Sequence, residues 1–313
     1  MRRPAFIIIN KPVGERSTSC VENVRRALGR GVKAGHGGTL DSSASGVLVL
    51  LVYGSTRLSG VVMSMPKVYR TVVRLGFETT TCDYDGEKII SEFPNRPEDV
   101  REEDMDSALF SFIGWRMQYP PKVSAVHVNG RRAHDIFRAG GDPDIEPRPV
   151  FIESIERLGK ISEGCAELRV SCGKGTYIRS IARDLGRSLG CGAHIASLVR
   201  ERVGVFDLNE ALRYDSKYPP SRAELIGALR GLDILENFLP SYTLPGAGSR
   251  ALSNGIAVRF SDAERRSFGS FPPRGEVSFT GEDFFSVAHM ERRGSLTYAV
   301  PDINIKYESP PSP

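Results

Sequence analysis

The sequence predicts an α+β protein, with a large mixed domain over residues 1–238 and a small β-rich one over residues 239–313. Three observations predict it. Helical spacing and strand alternation are interleaved through the first 235 or so residues. A break runs from Leu239-Pro240 to Pro245-Gly246. Past that break only short strand-like pieces follow, at 257–260, 276–280, 284–289 and 296–300. A chain of 313 residues is long enough for two such domains, each with a core.

The elements follow in order. Residues 5–9 are an apolar run and predict a short buried strand. Ser19-Cys-Val-Glu22 has capping-box spacing, and Val21, Val24 and Leu28 follow at helical intervals, so a helix is expected to end at Leu28, just before Gly29. The unbroken apolar stretch 47–53 predicts a central strand. In 68–75, Tyr69, Thr71, Val73 and Leu75 share one face while Arg70 and Arg74 point the other way. Residues 105–113 read as a helix. Ala166, Leu168 and Val170 alternate as a strand that enters Cys172-Gly-Lys-Gly-Thr176. A helix then starts at Tyr177, with Ile178, Ile181, Leu185 and Leu189 as its apolar stripe. Arg179, Arg183 and Arg187 lie four apart on another face, a spacing that by itself favours a solvated row. Pro143, Pro147 and Pro149 mark a loop around 139–149, and the Pro/Ser tail 309–313 is expected to fray.

Composition excludes several classes. Hydrophobic residues make up 40% and charged residues 26%, ordinary globular usage rather than that of a disordered chain. The longest apolar run has seven residues, against the roughly 20 that a membrane-spanning helix needs. The apolar stretch at the N-terminus is too short for a secretory leader, so a cytosolic protein with no membrane association is expected. Cys20, Cys82, Cys165, Cys172 and Cys191 show no Cys-x-x-Cys pair, and the five histidines show no metal-ligand spacing, so neither a disulfide framework nor a metal site is expected. The formal net charge is +4, and all of it falls before residue 240. Arginine supplies 33 of the 42 basic residues, a bias that leans toward phosphate and base recognition.

Four stretches are able to carry chemistry. Gly35-His36-Gly-Gly-Thr-Leu-Asp41-Ser-Ser-Ala-Ser-Gly46 sets one carboxylate among small residues just before the apolar strand. It is neither a Walker A loop nor a nucleophile elbow. Asp41 in such a place is a nucleophile, a base, or a capping or turn residue, and by residue type alone the cap is the commonest of these. In Lys67-Val-Tyr69-Arg70, the inward Tyr69 is a core residue or a base-stacking one. Gly173-Lys-Gly175-Thr-Tyr177-Ile-Arg179 is a strand-to-helix turn whose amides suit an anion. From Arg116 to Arg138 there are five basic residues and one acidic one, with His and Phe among them, which fits either RNA contact or a basic surface loop.

Taken in order, these residues resemble the TruB-type tRNA pseudouridine synthases that act on T-loop uridine 55. Asn10-Lys11-Pro12-x-Gly14 is similar to that family's opening motif, and Gly35-His36-Gly-Gly-Thr-Leu-Asp41 with Ala44-Ser45-Gly46 to its catalytic motif. Lys67-Val-Tyr69, Pro120-Pro-x-x-Ser124-Ala with Asn129-Gly-Arg131-Arg132-Ala, Gly175-Thr-Tyr177-Ile-Arg179-Ser, and Ala193-His-Ile-Ala-Ser-Leu198 complete the set. The chain departs from the family pattern in about two extra residues within 14–19, in Ser42-Ser43 where Pro-Leu is usual, and in His134 where Tyr is common.

The resemblance implies a mixed, largely antiparallel sheet with flanking helices, an RNA-binding insertion at about 120–150, and a C-terminal β-barrel-like, PUA-like RNA-binding domain over 239–313. It implies isomerisation of a tRNA uridine with Asp41 as nucleophile, Tyr69 stacked on the flipped base and Arg179 paired with the acid, which an adjacent guanidinium keeps ionised. It further implies that His36 wedges into the T-loop, that Tyr177 and Leu198 wall the pocket, and that Lys11 makes a supporting contact. Arg131 and Arg132 are candidates for RNA contact. No cofactor, no metal and no obligate protein partner are expected, and the chain is expected to act as a monomer on the T-arm of tRNA. The rival reading is a non-catalytic RNA-binding protein or tRNA chaperone that has kept the fold.

Overall fold

The computed structural model describes residues 3–267 and 275–307, so the expected fraying at 309–313 lies outside the described residues. The chain forms two compact units, one made of residues up to Leu40, Gly46–Met65 and those from Arg202 on, the other of Asp41–Ser45 and Pro66–Glu201.

In the first unit the strand Ala5–Lys11 runs antiparallel to Ser45–Val52, with Ala5 opposite Val52 and Lys11 opposite Gly46. The apolar run has no polar alternation because both faces of this strand are covered. Leu48, Leu50 and Val52 pack with Ile7 and Ile9 against Cys20, Val24 and Leu28 of the helix Ser17–Leu28. Val47, Val49 and Leu51 pack with Phe6 and Ile8 against a layer that includes Phe285, Val287 and Ile305 from the C-terminal sheet. The helix does stop at Gly29, but Ser19 is not its cap. It begins two residues earlier, where the Ser17 hydroxyl donates to the Leu40 carbonyl (2.8 Å) and accepts from the Leu40 amide (3.0 Å). This tie to a distant loop places Ser19 inside the first turn.

Among the described residues the C-terminal sheet has six strands, in the order Val258–Arg259, Leu296–Lys306, Phe284–Arg293, Glu276–Thr280, Ser241–Thr243 and Glu264–Ser267. All four expected strand pieces are present, and the last two extend further than the sequence pattern indicated. Tyr242, Leu252, Phe279, Phe284 and Ala288 are among the residues of its core.

The second unit carries the sheet that positions the chemistry. Its strand order is Ala193–Val203, Lys67–Leu75, Cys165–Cys172, Arg148–Ser162 and Gly114–Gln118. Thr71, Val73 and Leu75 are buried as their alternation predicts, and so are Ala166, Leu168 and Val170. The helix Ile178–Ser188 buries Ile178, Ile181, Ala182 and Leu185. The expected helix at 105–113 is found at Glu102–Phe110, starting with three acidic residues that suit a helix N-terminus. Between Gln118 and Arg148 the chain forms a hairpin, His127–Val128 with Arg131–Arg132, and a short helix, Ala133–Arg138. Asn129 (φ 50°) and Gly130 (φ 79°) make the two-residue turn, the left-handed pair that such hairpins require.

Gly186 is the point of closest approach in this unit. Its carbonyl accepts from the amides of Cys191 and Gly192, both at 3.0 Å. A β-carbon on Gly186 would lie 2.2 Å from the Ala193 nitrogen and 2.4 Å from the Gly192 carbonyl carbon. Replacing glycine by alanine inside a helix ordinarily stabilises it by about 1 kcal/mol. Here both obstacles are backbone, so Gly186→Ala is expected to destabilise by about 1–3 kcal/mol, read as a lower urea midpoint at unchanged m-value.

Candidate active site

The second unit brings Asp41, Tyr69, Tyr177 and Arg179 into one electrostatic environment. Asp41 stands in a turn of small residues, closed by the Ala44 amide donating to the Asp41 carbonyl (3.2 Å). It caps no helix. Its carboxylate lies 2.9 Å from Nε of Arg179, and the two side chains are unequally buried, Asp41 being 41% exposed and Arg179 5%. The acid therefore faces solvent, with the cation behind it. Arg179 sits in the first turn of the Ile178–Ser188 helix and also donates to the Thr81 carbonyl (3.0 Å). Burial lowers its pKa, but the nearby charges of Asp41 and Asp83 outweigh this and carry it above the ordinary arginine value.

Asp83 is a second, buried carboxylate that sequence reasoning missed. Its Oδ2 lies 3.9 Å from Arg179 Nε and accepts from the Ser43 hydroxyl at 2.9 Å. Its Oδ1 accepts from the Thr81 hydroxyl and from the Asp85 amide (3.2 Å). The serine found where the family usually has leucine thus ties the Asp41 loop to the 79–86 turn. The available signal was the run Thr79-Thr-Thr-Cys-Asp83-Tyr-Asp-Gly86, which reads as turn chemistry and names no partner.

Tyr69 lies on the Lys67–Leu75 strand opposite Val170 and is half-buried. Burial raises its phenol pKa, Arg200 opposes that rise, and the Asp41 charge adds to it. Tyr177 precedes the helix, with its backbone held at both ends by Gln118, whose side chain accepts from the Tyr177 amide (2.8 Å) and donates to its carbonyl (3.1 Å). Its ring packs with Val126, Val128, Ala133 and Ile145, which anchors the 120–150 segment to the helix start. Burial lifts its phenol pKa and the Asp41 charge adds to the shift. Leu198 is buried on the Ala193–Val203 strand.

Other candidates are placed elsewhere. Arg131 and Arg132 are exposed on the hairpin. Lys11 and His36 belong to the first unit. The Lys11 ammonium is fully buried and donates to the Pro12 (2.7 Å) and Glu15 (2.9 Å) carbonyls, shaping the turn after its strand. His36 ends the short strand Ala34–His36 and is half-buried. The arginine row is solvated only at its far end: Arg179 is buried, Arg183 is half-buried and Arg187 is exposed. Besides buried Arg179, Arg187 makes a two-pronged contact with the buried Glu78 carboxylate (2.6 and 2.8 Å), and Arg183 binds Asp184 (2.8 Å) and the Tyr119 carbonyl (3.0 Å). A buried carboxylate demands such a partner, and helical spacing cannot reveal it.

The match to known families agrees with this arrangement. The family described as TruB family pseudouridylate synthase (N terminal domain) matches residues 25–178, and the tRNA pseudouridylate synthase B C-terminal domain matches residues 179–216. Fold and site thus define a pseudouridine synthase, an isomerase of uridine in RNA. The tRNA pseudouridine synthase B of Paracoccus denitrificans (strain Pd 1222) is 40% identical over 250 residues, 80% of this chain and 82% of that one. That of Dinoroseobacter shibae (strain DSM 16493 / NCIMB 14021 / DFL 12) is 39% identical over 264 residues, 83% of this chain and 84% of that one. The chain belongs to the TruB family. In fold it is similar to a chain of the crystal structure of a Cbf5-Nop10-Gar1 complex, with TM-score 0.69 at 23% identity over 97% of this chain and 84% of that one.

Lys67 generates a prediction about pH. It is buried opposite Cys172 of the neighbouring strand, and burial, with Arg200 and Lys174 adding, lowers its amine to about 7. In the unfolded chain the amine stays protonated up to about pH 10. Between about pH 7 and 10 the unfolded state binds the extra proton, so raising the pH favours the folded chain by up to about 1.4 kcal/mol per unit from this group. Urea titrations at about pH 7.5 and 9.5 check this. Wild type is expected to gain stability relative to Lys67→Met as the pH rises.

Proposed function

We propose that this chain converts uridine 55 in the T-loop of tRNA to pseudouridine, with Asp41 as nucleophile. The observation that carries the reading is the solvent-facing Asp41 carboxylate backed by a buried guanidinium, with Tyr69 in the same electrostatic environment. The names of its relatives support tRNA as the substrate. In the reaction the bond from C1′ to N1 breaks, the uracil turns, and C5 bonds to C1′. The proton lost from C5 is matched by one gained at N1, so the change is an isomerisation.

The target base leaves its stack at a cost of a few kcal/mol, and the pocket replaces those contacts. Tyr69 lies on the uracil, with Tyr177 and Leu198 as walls. His36 fills the place that the base has left, and Lys11 supports its loop. Arg131 and Arg132 meet phosphate, and residues 239–313 act as a PUA-like RNA-binding domain beside the catalytic residues 1–238. The enzyme works as a cytoplasmic monomer.

Asp41→Asn is close to isosteric, so folding and RNA affinity are expected to stay within about threefold of wild type while product falls by about 10⁴-fold or more. Pseudouridine formation in a T-arm hairpin measures this. Substantial product from Asp41→Asn removes the nucleophile assignment, and tight binding without product from any uridine-containing RNA favours the non-catalytic reading.

Arg131→Ala/Arg132→Ala is expected to weaken RNA binding and flatten the plot of log affinity against log salt by about 1–2 units, as loss of two phosphate contacts requires. An unchanged slope places both arginines away from phosphate.

A further inference from the structure

Tyr84 stands beside the proposed nucleophile and has no part in the proposed reaction. The turn that holds it, 79–86, is closed on itself by backbone hydrogen bonds. The Cys82 amide donates to the Thr79 carbonyl (3.0 Å), the Gly86 amide to the Asp83 carbonyl (3.2 Å) and the Thr80 amide to the Glu87 carbonyl (2.9 Å). The Ile195 amide donates to the Cys82 carbonyl (3.1 Å) and so fastens the turn to the Ala193–Val203 strand. Two consecutive residues of this turn meet the Asp41 loop at one point, Ser43. Asp83 is buried and accepts from the Ser43 hydroxyl (2.9 Å). Tyr84 donates its own hydroxyl to the Ser43 carbonyl (3.4 Å).

At 3.4 Å the bond from the phenol is long and weak, so it does little to hold the loop. It does locate the ring. The polar tip of Tyr84 rests on a residue two places from Asp41, and the side chain is 45% exposed. A single exposed aromatic ring is ordinary on a protein surface, but this one lies beside the acid on a turn whose backbone is tied at several points. The neighbouring side chains select what can cover it. Asp85 is exposed next to it in sequence, and Asp41 keeps a face open to solvent. These carboxylates repel a phosphate. The face of a nucleobase carries no charge and stacks on an aromatic ring whichever base it is.

We propose that Tyr84 is an RNA-binding residue: its ring stacks on the base that neighbours the target uridine in the RNA chain once that uridine has flipped out. The inference rests on the reading of Asp41 as the group that meets the uridine. Extruding one base uncovers the faces of the bases beside it, and a ring at the edge of the site restores a contact that the RNA has lost. Tyr84 therefore acts on RNA affinity through its ring, not through its hydroxyl and not on the chemical step.

The test is a double-mutant cycle between the full chain and its RNA. Affinity is measured in an Asp41→Asn background, so that the RNA stays unconverted, on a T-arm hairpin and on two hairpins made abasic at the nucleotide before or after the target. Single-turnover rate at saturating RNA is measured separately with Asp41 intact. Tyr84→Ala is expected to weaken binding of the intact hairpin by about 10-fold or more, the scale of one lost base–aromatic stack. On one of the abasic hairpins the same substitution is expected to cost less than about threefold, because the stacking partner is already gone. Tyr84→Phe, which keeps the ring, is expected to recover the affinity that alanine loses. If Tyr84→Ala does not fold, Tyr84→Leu takes its place in the cycle. Undiminished affinity in Tyr84→Ala overturns this inference and leaves the proposed function standing. So does an equal loss in Tyr84→Phe and Tyr84→Ala, which places the effect in the hydroxyl contact with Ser43. An equal loss from alanine on all three hairpins, or a loss confined to the single-turnover rate, overturns it as well. Absence of pseudouridine from the reaction of the unsubstituted chain overturns the proposed function, and this inference with it.

Discussion

Arg179 is a permanent cation held in the first turn of a helix and removed from water. Each circumstance is unfavourable by itself. The helix N-terminus is the positive end of the dipole, and desolvating an unpaired charge costs several kcal/mol. The arrangement stands because two carboxylates share the one guanidinium, Asp41 at 2.9 Å and Asp83 at 3.9 Å. Their burial divides their tasks. Asp83 is enclosed, and its oxygens are occupied by Ser43, Thr81 and Asp85. Asp41 keeps its exposed face. The loop 41–45, the turn 79–86 and the helix start at Tyr177 are all located by reference to this cation.

A second group of charges lies beneath Tyr69. Lys67 and Arg200 are buried close together, and their mutual repulsion with desolvation is resolved on the lysine, whose amine moves to about 7. The charge of Arg200 also opposes the rise of the Tyr69 phenol. The two groups differ in kind. Around Arg179 opposite charges balance, whereas beside Tyr69 burial draws the Lys67 amine toward its neutral form. Asp41 adds to the rise of the Tyr69 phenol, so the acid is coupled to the ring that the proposed reaction places over the base.

What the sequence made legible was mostly periodicity. Both faces of the central strand, the alternation in 68–75 and 166–170, and the apolar stripe after Tyr177 were all readable because each pattern reports its own burial. Boundaries failed where a distant contact decides them. Ser17 begins its helix through Leu40, so the Ser19 cap pattern misled. The helix Glu102–Phe110 starts in acidic residues that apolar spacing does not register. Pro301 stands inside the strand Leu296–Lys306, and a register shift beside it carries the pairing on, so a proline that reads as a stop is not one. At the site, Asp41, Tyr69, Tyr177 and Arg179 were legible through the family resemblance. Asp83 and Glu78 were not, since each acquires its meaning from a partner remote in sequence.

The division between a buried cation and an exposed acid also bears on how the proposed reaction is powered. Were Asp41 enclosed as deeply as Asp83, the pair would be stable and no substrate would reach it. Were both exposed, water would screen the pair to little effect. With Arg179 already dry, only the outer face of Asp41 remains to be desolvated, and a flipped base stacked on Tyr69 is the group that would cover it. Electrostatic interactions at the acid then strengthen as the base settles and water leaves. The desolvation falls at the moment of binding and is offset by stacking, while the guanidinium that steadies the acid needs no reorganisation. A site of this design suits a substrate base that leaves its own stack and, once seated on Tyr69, covers the acid.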